Sequence, residues 1–214
     1  MALDAPGHGR SSRGLSSAPE FARALRAAAD AVGQIHGVVA HSLGAAATAL
    51  AIRDGLPVER VVLVAPPANP PDWFFVLARR LDLTSAVVER VRQRSERRLR
   101  LRWDDLRLAT LVSGFRQPML VIHDRHDAEV PLADGAAVAA AWPGARLLET
   151  SGLGHNRVLR DPEVVANAVA FLAEGAPPTI CECGGHAAGG WAACLEQHLF
   201  DREARRSAWG FRPA

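Results

Sequence analysis

The sequence predicts an α/β protein with a partly parallel sheet flanked by helices. Short β-branched runs alternate with longer alanine-rich stretches along most of the chain. Alternation of that kind builds a mostly parallel sheet with helices on both faces. The composition agrees, since 214 residues at 49% hydrophobic and 22% charged can bury one core of their own. A third observation concerns a break: between Pro66 and Gln117 there is no convincing strand, only arginine-rich helical pieces.

The elements follow in order. "MALD" (Met1–Asp4) is a candidate strand that spills into a glycine-rich loop from Ala5 to Pro19. "EFARALRAAADAVGQ" is a helix, with Phe21, Leu25, Ala28 and Val32 spaced for one face. "GVVAHS" is a strand, and "LGAAATALAIRDG" a helix ending at Gly55. "ERVVLVAPP" is a third strand, stopped by paired prolines. "QPMLVIHD" is a fourth strand, "LADGAAVAAAWPG" a helix closed by Pro and Gly, and "ARLLET" a fifth strand. After "SGLGHNRVLR", Asp161 as N-cap and Pro162 in the first turn open the helix "DPEVVANAVAFLAE". The domain expectation is a core over 1–174 and a Cys/His-containing tail over 175–214.

The helical pieces "WFFVLARRLDL" and "SAVVERVRQRSERRLRLRWDDL" occupy the place after a strand end where α/β enzymes insert lids, giving a cap of about 66–116. Arg90, Arg92, Arg94, Arg97, Arg98, Arg100 and Arg102 could suit an anionic ligand, but Glu89, Glu96, Asp104 and Asp105 are interleaved with them. A solvated helix face is the better reading.

Charge and composition exclude several classes of function. Twenty-five basic residues against 23 acidic ones leave a net charge of +2, which makes no electrostatic case for nucleic acid or a membrane surface. The N-terminus lacks the basic-then-apolar pattern of a signal peptide. The longest uncharged run, Ala31 to Ile52, carries Gly33, Gln34, His36, His41 and Ser42, so no membrane span is expected and the cytoplasm is the default location.

The chemistry begins at "VVAHSLGAAAT", where a buried strand runs directly into Ser42 and then into an alanine-rich helix. Small-x-Ser-x-Gly at such a junction is the nucleophile-elbow pattern, with the serine on a strained strand-to-helix turn. Gly44 answers the need for a small residue, and Ala40 adds only a methyl. The helix start supplies a positive dipole and free backbone N–H groups, that of Leu43 being placed for a developing oxyanion. A serine hydroxyl needs a base, and an imidazole base needs a carboxylate to orient it. "HDRHDAEVP" follows the fourth strand and "GLGHNRVLRDP" the fifth, so Asp127 and His155 fall on the same sheet edge as Ser42. Asp124, which also ends the strand, is the rival carboxylate.

Together "DAPGHGRSS", "AHSLGAA", "VIHDRHDAEVP" and "GLGHNRVLRDP", in that order from about Leu3 to Glu174, resemble the α/β-hydrolase superfamily. The resemblance implies that Ser42 is the nucleophile, His155 the general base and Asp127 its orienting acid, the spacing before "VP" favouring Asp127. No cofactor is implied for catalysis, and His8 and His41 are read as structural. The family carries strands before the D-x-P-G-H-G-x-S loop, one of them ending in a His-Gly loop that gives the second oxyanion donor. "MALD" would therefore leave a gap in the sheet or pair directly with "GVVA". The expectation is a fold lacking its first strands, from a coding sequence that begins upstream of Met1 or from a natural fragment.

The tail gathers Cys181, Cys183, Cys194, His186 and His198 on a glycine-rich stretch, a donor set that suits zinc. The proposed ligands are Cys181, Cys183, Cys194 and His198, against the alternative of reduced cysteines beside a short amphipathic helix. The function expected is a serine hydrolase acting on a small-molecule ester or thioester. Its alternatives are an acyltransferase or cofactor-free haloperoxidase-type enzyme, or an inactive fragment or binding module. Trp73, Phe74, Phe75 and Trp103 in the cap hint at apolar acyl groups.

Overall fold

A computed structural model of the chain describes residues 1–11 and 16–174. All but the last two of these fall in one compact unit, Met1–Leu172. Four strands form a single sheet: β1 (Ile35–His41), β2 (Val58–Val64), β3 (Met119–Asp124) and β4 (Arg146–Thr150). They lie side by side in chain order, and every neighbouring pair is parallel. Parallel neighbours need crossovers. These are α2 (Leu43–Arg53) between β1 and β2, α6 (Leu132–Ala141) between β3 and β4, and the helical segment between β2 and β3. Ahead of β1 stands α1 (Ala18–Val32), and α8 (Pro162–Ala173) follows β4.

The sheet separates two cores. One face packs Val61, Leu63, Met119 and Val121 against α1, α2 and α6, with Trp142 buried in the same cluster. The other packs Val62, Val64, Leu120 and Ile122 against Val164, Ala168 and Phe171 of α8. The alternation follows from the pleat, which sends successive side chains of β2 and β3 to opposite faces. Both strands are apolar throughout because both of their faces are covered.

α1 buries Ala18, Ala22 and Ala29, with Phe21 and Leu25 packed beside them. The expected stripe is thus displaced, and Val32 at its predicted end is 53% exposed. Small side chains explain the rotation: α2 presents Ala45, Ala46, Ala47, Ala49 and Ala51, all buried, and alanine against alanine lets the two helices approach closely.

"MALD" forms no strand. Met1 to Asp4 are exposed, and neither the expected gap nor a direct pairing with β1 is seen. Four residues with no apolar face to pack on cannot offset the cost of ordering their backbone. Among the described residues the outer edge of β1 carries no pairing strand, and Val39 in it is 53% exposed. The loop that follows closes on itself instead. The Asp4 carboxylate accepts Arg10 N–H at 3.0 Å, and the His8 ring meets Phe21 of α1 edge-on at 5.4 Å.

Between β2 and β3 the chain makes α3 (Asp72–Arg80), α4 (Ser85–Leu99), a 3₁₀ turn (Trp103–Leu106) and α5 (Leu108–Val112). Trp103 packs edge-on against Phe74 and Phe75 at 5.3 and 5.6 Å. α4 buries no residue, and its Arg92 is clasped by Glu89 and Glu96 at 2.7 and 3.2 Å. No helix among the described residues is long and apolar enough to cross a membrane.

Candidate active site

Parallel strands in chain order put every strand's C-terminal end on one edge, and the predicted residues emerge there. Ser42 follows β1, Asp127 lies in the turn after β3, and His155 lies beyond β4 in the four-residue helix α7 (Gly154–Arg157). The sequence suggests a plain loop at His155; the helical turn is a refinement.

Ser42 has φ +52° and ψ −121°, a left-handed backbone that costs a non-glycine residue about 1–3 kcal/mol. It is the N-cap of α2, yet its side chain makes no capping bond. An ordinary serine N-cap spends its hydroxyl on the helix amides. Here the hydroxyl makes no hydrogen bond among the described residues, to the helix amides or to His155. Leu43, first in α2, has one of the N–H groups that a helix leaves without an internal partner. Gly44 is less constrained than the motif suggests, because among the described residues a Cβ there would meet only Ala40 Cβ at an ordinary 3.7 Å.

His155 and Asp127 are brought together. His155 Nδ1 donates to Asp127 Oδ2 at 2.7 Å, with the two side chains 7% and 0% exposed. That bond fixes the proton on Nδ1 and leaves Nε2 as the acceptor. The other Asp127 oxygen, Oδ1, accepts the N–H groups of Glu129 and Val130 at 2.8 and 2.9 Å. Both oxygens are thus engaged and the carboxylate cannot swing.

Three further residues support this pair. His41 Nε2 donates to the His155 carbonyl at 2.9 Å, and the two rings lie 4.5 Å apart. Burial lowers the His41 pKa, and the neighbouring His155 lowers it further. His123 is fully buried beneath the acid turn: its Nε2 donates to the Val130 carbonyl at 2.9 Å and lies 3.6 Å from Asp127 Oδ2. Asp124, the rival carboxylate, does not bond His155. It accepts His126 N–H on Oδ1 at 2.9 Å, and Thr150 Oγ1–H and Leu153 N–H on Oδ2 at 2.8 and 3.0 Å. Burial pushes its pKa up, but the Gly154 and Leu153 amides, the Thr150 hydroxyl and the His126 amide outweigh it and bring the value down to about 2. The sequence carries one signal for these groups: "HD" closes an otherwise apolar strand, and buried polar groups need partners.

The expected zinc ligands Cys181, Cys183, Cys194 and His198 lie outside the described residues. Among the described residues no group of three or more His, Cys, Asp or Glu could hold a metal ion.

A family model described as "Alpha/beta hydrolase family" matches residues 1–168. No curated protein matches the chain. Solved structures share the fold. A hydrolase from Pseudomonas aeruginosa is 23% identical, with 80% of this chain and 78% of that one covered and a TM-score of 0.58. A thermophilic esterase from Thermogutta terrifontis is 17% identical over 79% and 77%, with a TM-score of 0.59. A bromoperoxidase from Bacillus anthracis is 17% identical over 79% of each chain, with a TM-score of 0.56. Identities this low speak to fold alone, but the family model spans most of the sequence, and on that ground the chain belongs to the alpha/beta hydrolase family.

Proposed function

We propose that this protein is a serine hydrolase that cleaves an ester or thioester of a small molecule through an acyl-enzyme. Ser42 Oγ attacks the carbonyl carbon while His155 Nε2 takes its proton. Asp127 holds the imidazole in the tautomer that leaves Nε2 free and stabilises its charged form. The Leu43 N–H faces the developing oxyanion. Collapse of the tetrahedral intermediate returns the proton from His155 to the departing alcohol or thiol, and water repeats the sequence to release the acid. The observation that carries the reading is the 2.7 Å His155–Asp127 bond, made on the strand edge where Ser42 keeps its hydroxyl out of the helix cap.

Acyl transfer or cofactor-free haloperoxidase chemistry on the same residues is the second reading, favoured by the fold shared with a bromoperoxidase. Turnover of p-nitrophenyl esters and acyl thioesters, with product analysis in the presence of competing alcohols and amines, separates the two. Free acid as the main product supports hydrolysis. Transfer products dominating at modest acceptor concentration support acyl transfer. No turnover of any ester or thioester contradicts the proposal.

A further inference from the structure

We propose that Asp124 is a positioning residue for the proposed hydrolytic step: its carboxylate ties the loop that carries His155 to the turn that carries Asp127, setting base against acid. The inference rests on the serine-hydrolase reading for the meaning of "base" and "acid", but its geometry stands by itself. Asp124 is the last residue of β3 and Thr150 the last of β4, and the two are partners in the sheet register. Beyond Thr150 the chain turns through Gly152 and Gly154, both with left-handed backbone at φ +84° and +68°, and Arg157 of the same loop donates to the Gly152 and Leu153 carbonyls at 2.7 and 3.0 Å. His155 follows Gly154 immediately.

Arg157 holds the loop to itself, whereas the Asp124 carboxylate ties it to the end of β3. Oδ2 receives the Thr150 hydroxyl and the Leu153 amide, gripping the segment on both sides of Gly152. Oδ1 receives the His126 amide, one residue before Asp127. One side chain therefore holds the approaches to both members of the pair. A second bridge runs alongside, where Gly152 N–H donates to His126 Nδ1 at 3.1 Å. Asp124 is wholly buried and these donors are neutral, an expensive place for a carboxylate unless its hydrogen bonds are all made. An apolar residue would avoid that cost but could not hold the two segments in register.

The test compares wild type with Asp124→Asn, Thr150→Val and Thr150→Ser on one p-nitrophenyl ester. It measures kcat, KM, thermal unfolding and the low-field proton resonance of His155 Nδ1–H. Asn keeps one acceptor oxygen but turns an NH₂ toward amide donors. Small misplacements of reacting groups cost up to about 100-fold in rate, so D124N is expected to lose about 10- to 100-fold in kcat with KM within about twofold. Thr150→Val loses about three- to tenfold, Thr150→Ser recovers it, and the His155 resonance broadens in D124N and T150V but not in T150S. Wild-type kcat in the folded fraction of D124N overturns the proposal. So does a T150V loss that T150S fails to restore, or a His155 resonance unchanged in both D124N and T150V. The resonance is read without turnover: a wild-type chain that is inert, yet whose signal responds to D124N as expected, contradicts the hydrolase reading and leaves the positioning geometry supported.

Discussion

His41 and His155 stand ring against ring, 4.5 Å apart, and the imidazole of one holds the backbone of the other through a 2.9 Å bond from Nε2 to the carbonyl. Because Ser42 is next in sequence to His41, this contact links the serine strand directly to His155, the proposed base. It also links the stability of the site to pH.

The His41 pKa is lowered in the folded chain, by burial first and by the charge of His155 second. The carboxylates of Asp127 and Glu129 pull the other way but do not prevail. Below the ordinary histidine value of 6.5 the unfolded chain therefore takes up a proton that the folded chain refuses. Stability then falls as pH drops from 6.5 toward the folded value. His41→Gln keeps a donor for the carbonyl and removes the titration. Urea midpoints between pH 5 and 7 are expected to fall less steeply in H41Q than in wild type, with kcat within about threefold for a retained hydrogen bond. Equal slopes would show that His41 does not carry this dependence.

Asp127→Asn tests the acid. Both backbone amides at Oδ1 demand an acceptor, so the Asn oxygen stays with Glu129 and Val130 and its NH₂ turns toward His155. Nδ1 must then accept, which drives the imidazole proton to Nε2, the wrong side for a base. A loss of about 10³- to 10⁴-fold in kcat is expected with little change in melting temperature. A loss of less than tenfold would exclude Asp127 from the role.

Glycines at two helices should respond in opposite directions. A Cβ on Gly135 of α6 would fall on the fully buried ring of His123, so Gly135→Ala has to displace that imidazole from beneath the acid turn. Overpacking of this kind costs about 1–3 kcal/mol. Among the described residues Gly44→Ala meets only Ala40 Cβ, at 3.7 Å, and it gains helix propensity, so it is expected to be neutral or stabilising by up to about 1 kcal/mol. Chemical denaturation of both variants checks the contrast, and it fails if G44A is the more damaging.

Much of this was legible from residue order alone. The apolar runs of β2 and β3, the alanine-rich α2 and the Asp161 cap of α8 are local patterns, and each formed where its pattern lay. "MALD" did not, because a strand depends on neighbours that a four-residue pattern does not specify. Asp127 and His155 are 28 residues apart, and their meeting was readable only because parallel strands in chain order put both on one edge. The contacts of His41, His123 and Asp124 were not readable, since each depends on side-chain directions across two strand ends. For Asp124 the sequence offered only a choice between acid and bystander. Its bonds to the Thr150 hydroxyl and the Leu153 amide show a carboxylate committed to the segment that leads to His155.

Covalent labelling asks whether Ser42 is the nucleophile without needing to know the substrate. The full-length chain is treated with a fluorophosphonate, its intact mass is read, and the modified peptide is sequenced. One adduct is expected on Ser42, none on Ser42→Ala, with labelling slowed by orders of magnitude in His155→Ala. An adduct that persists on Ser42→Ala, or no adduct on a folded wild-type chain, would contradict that role.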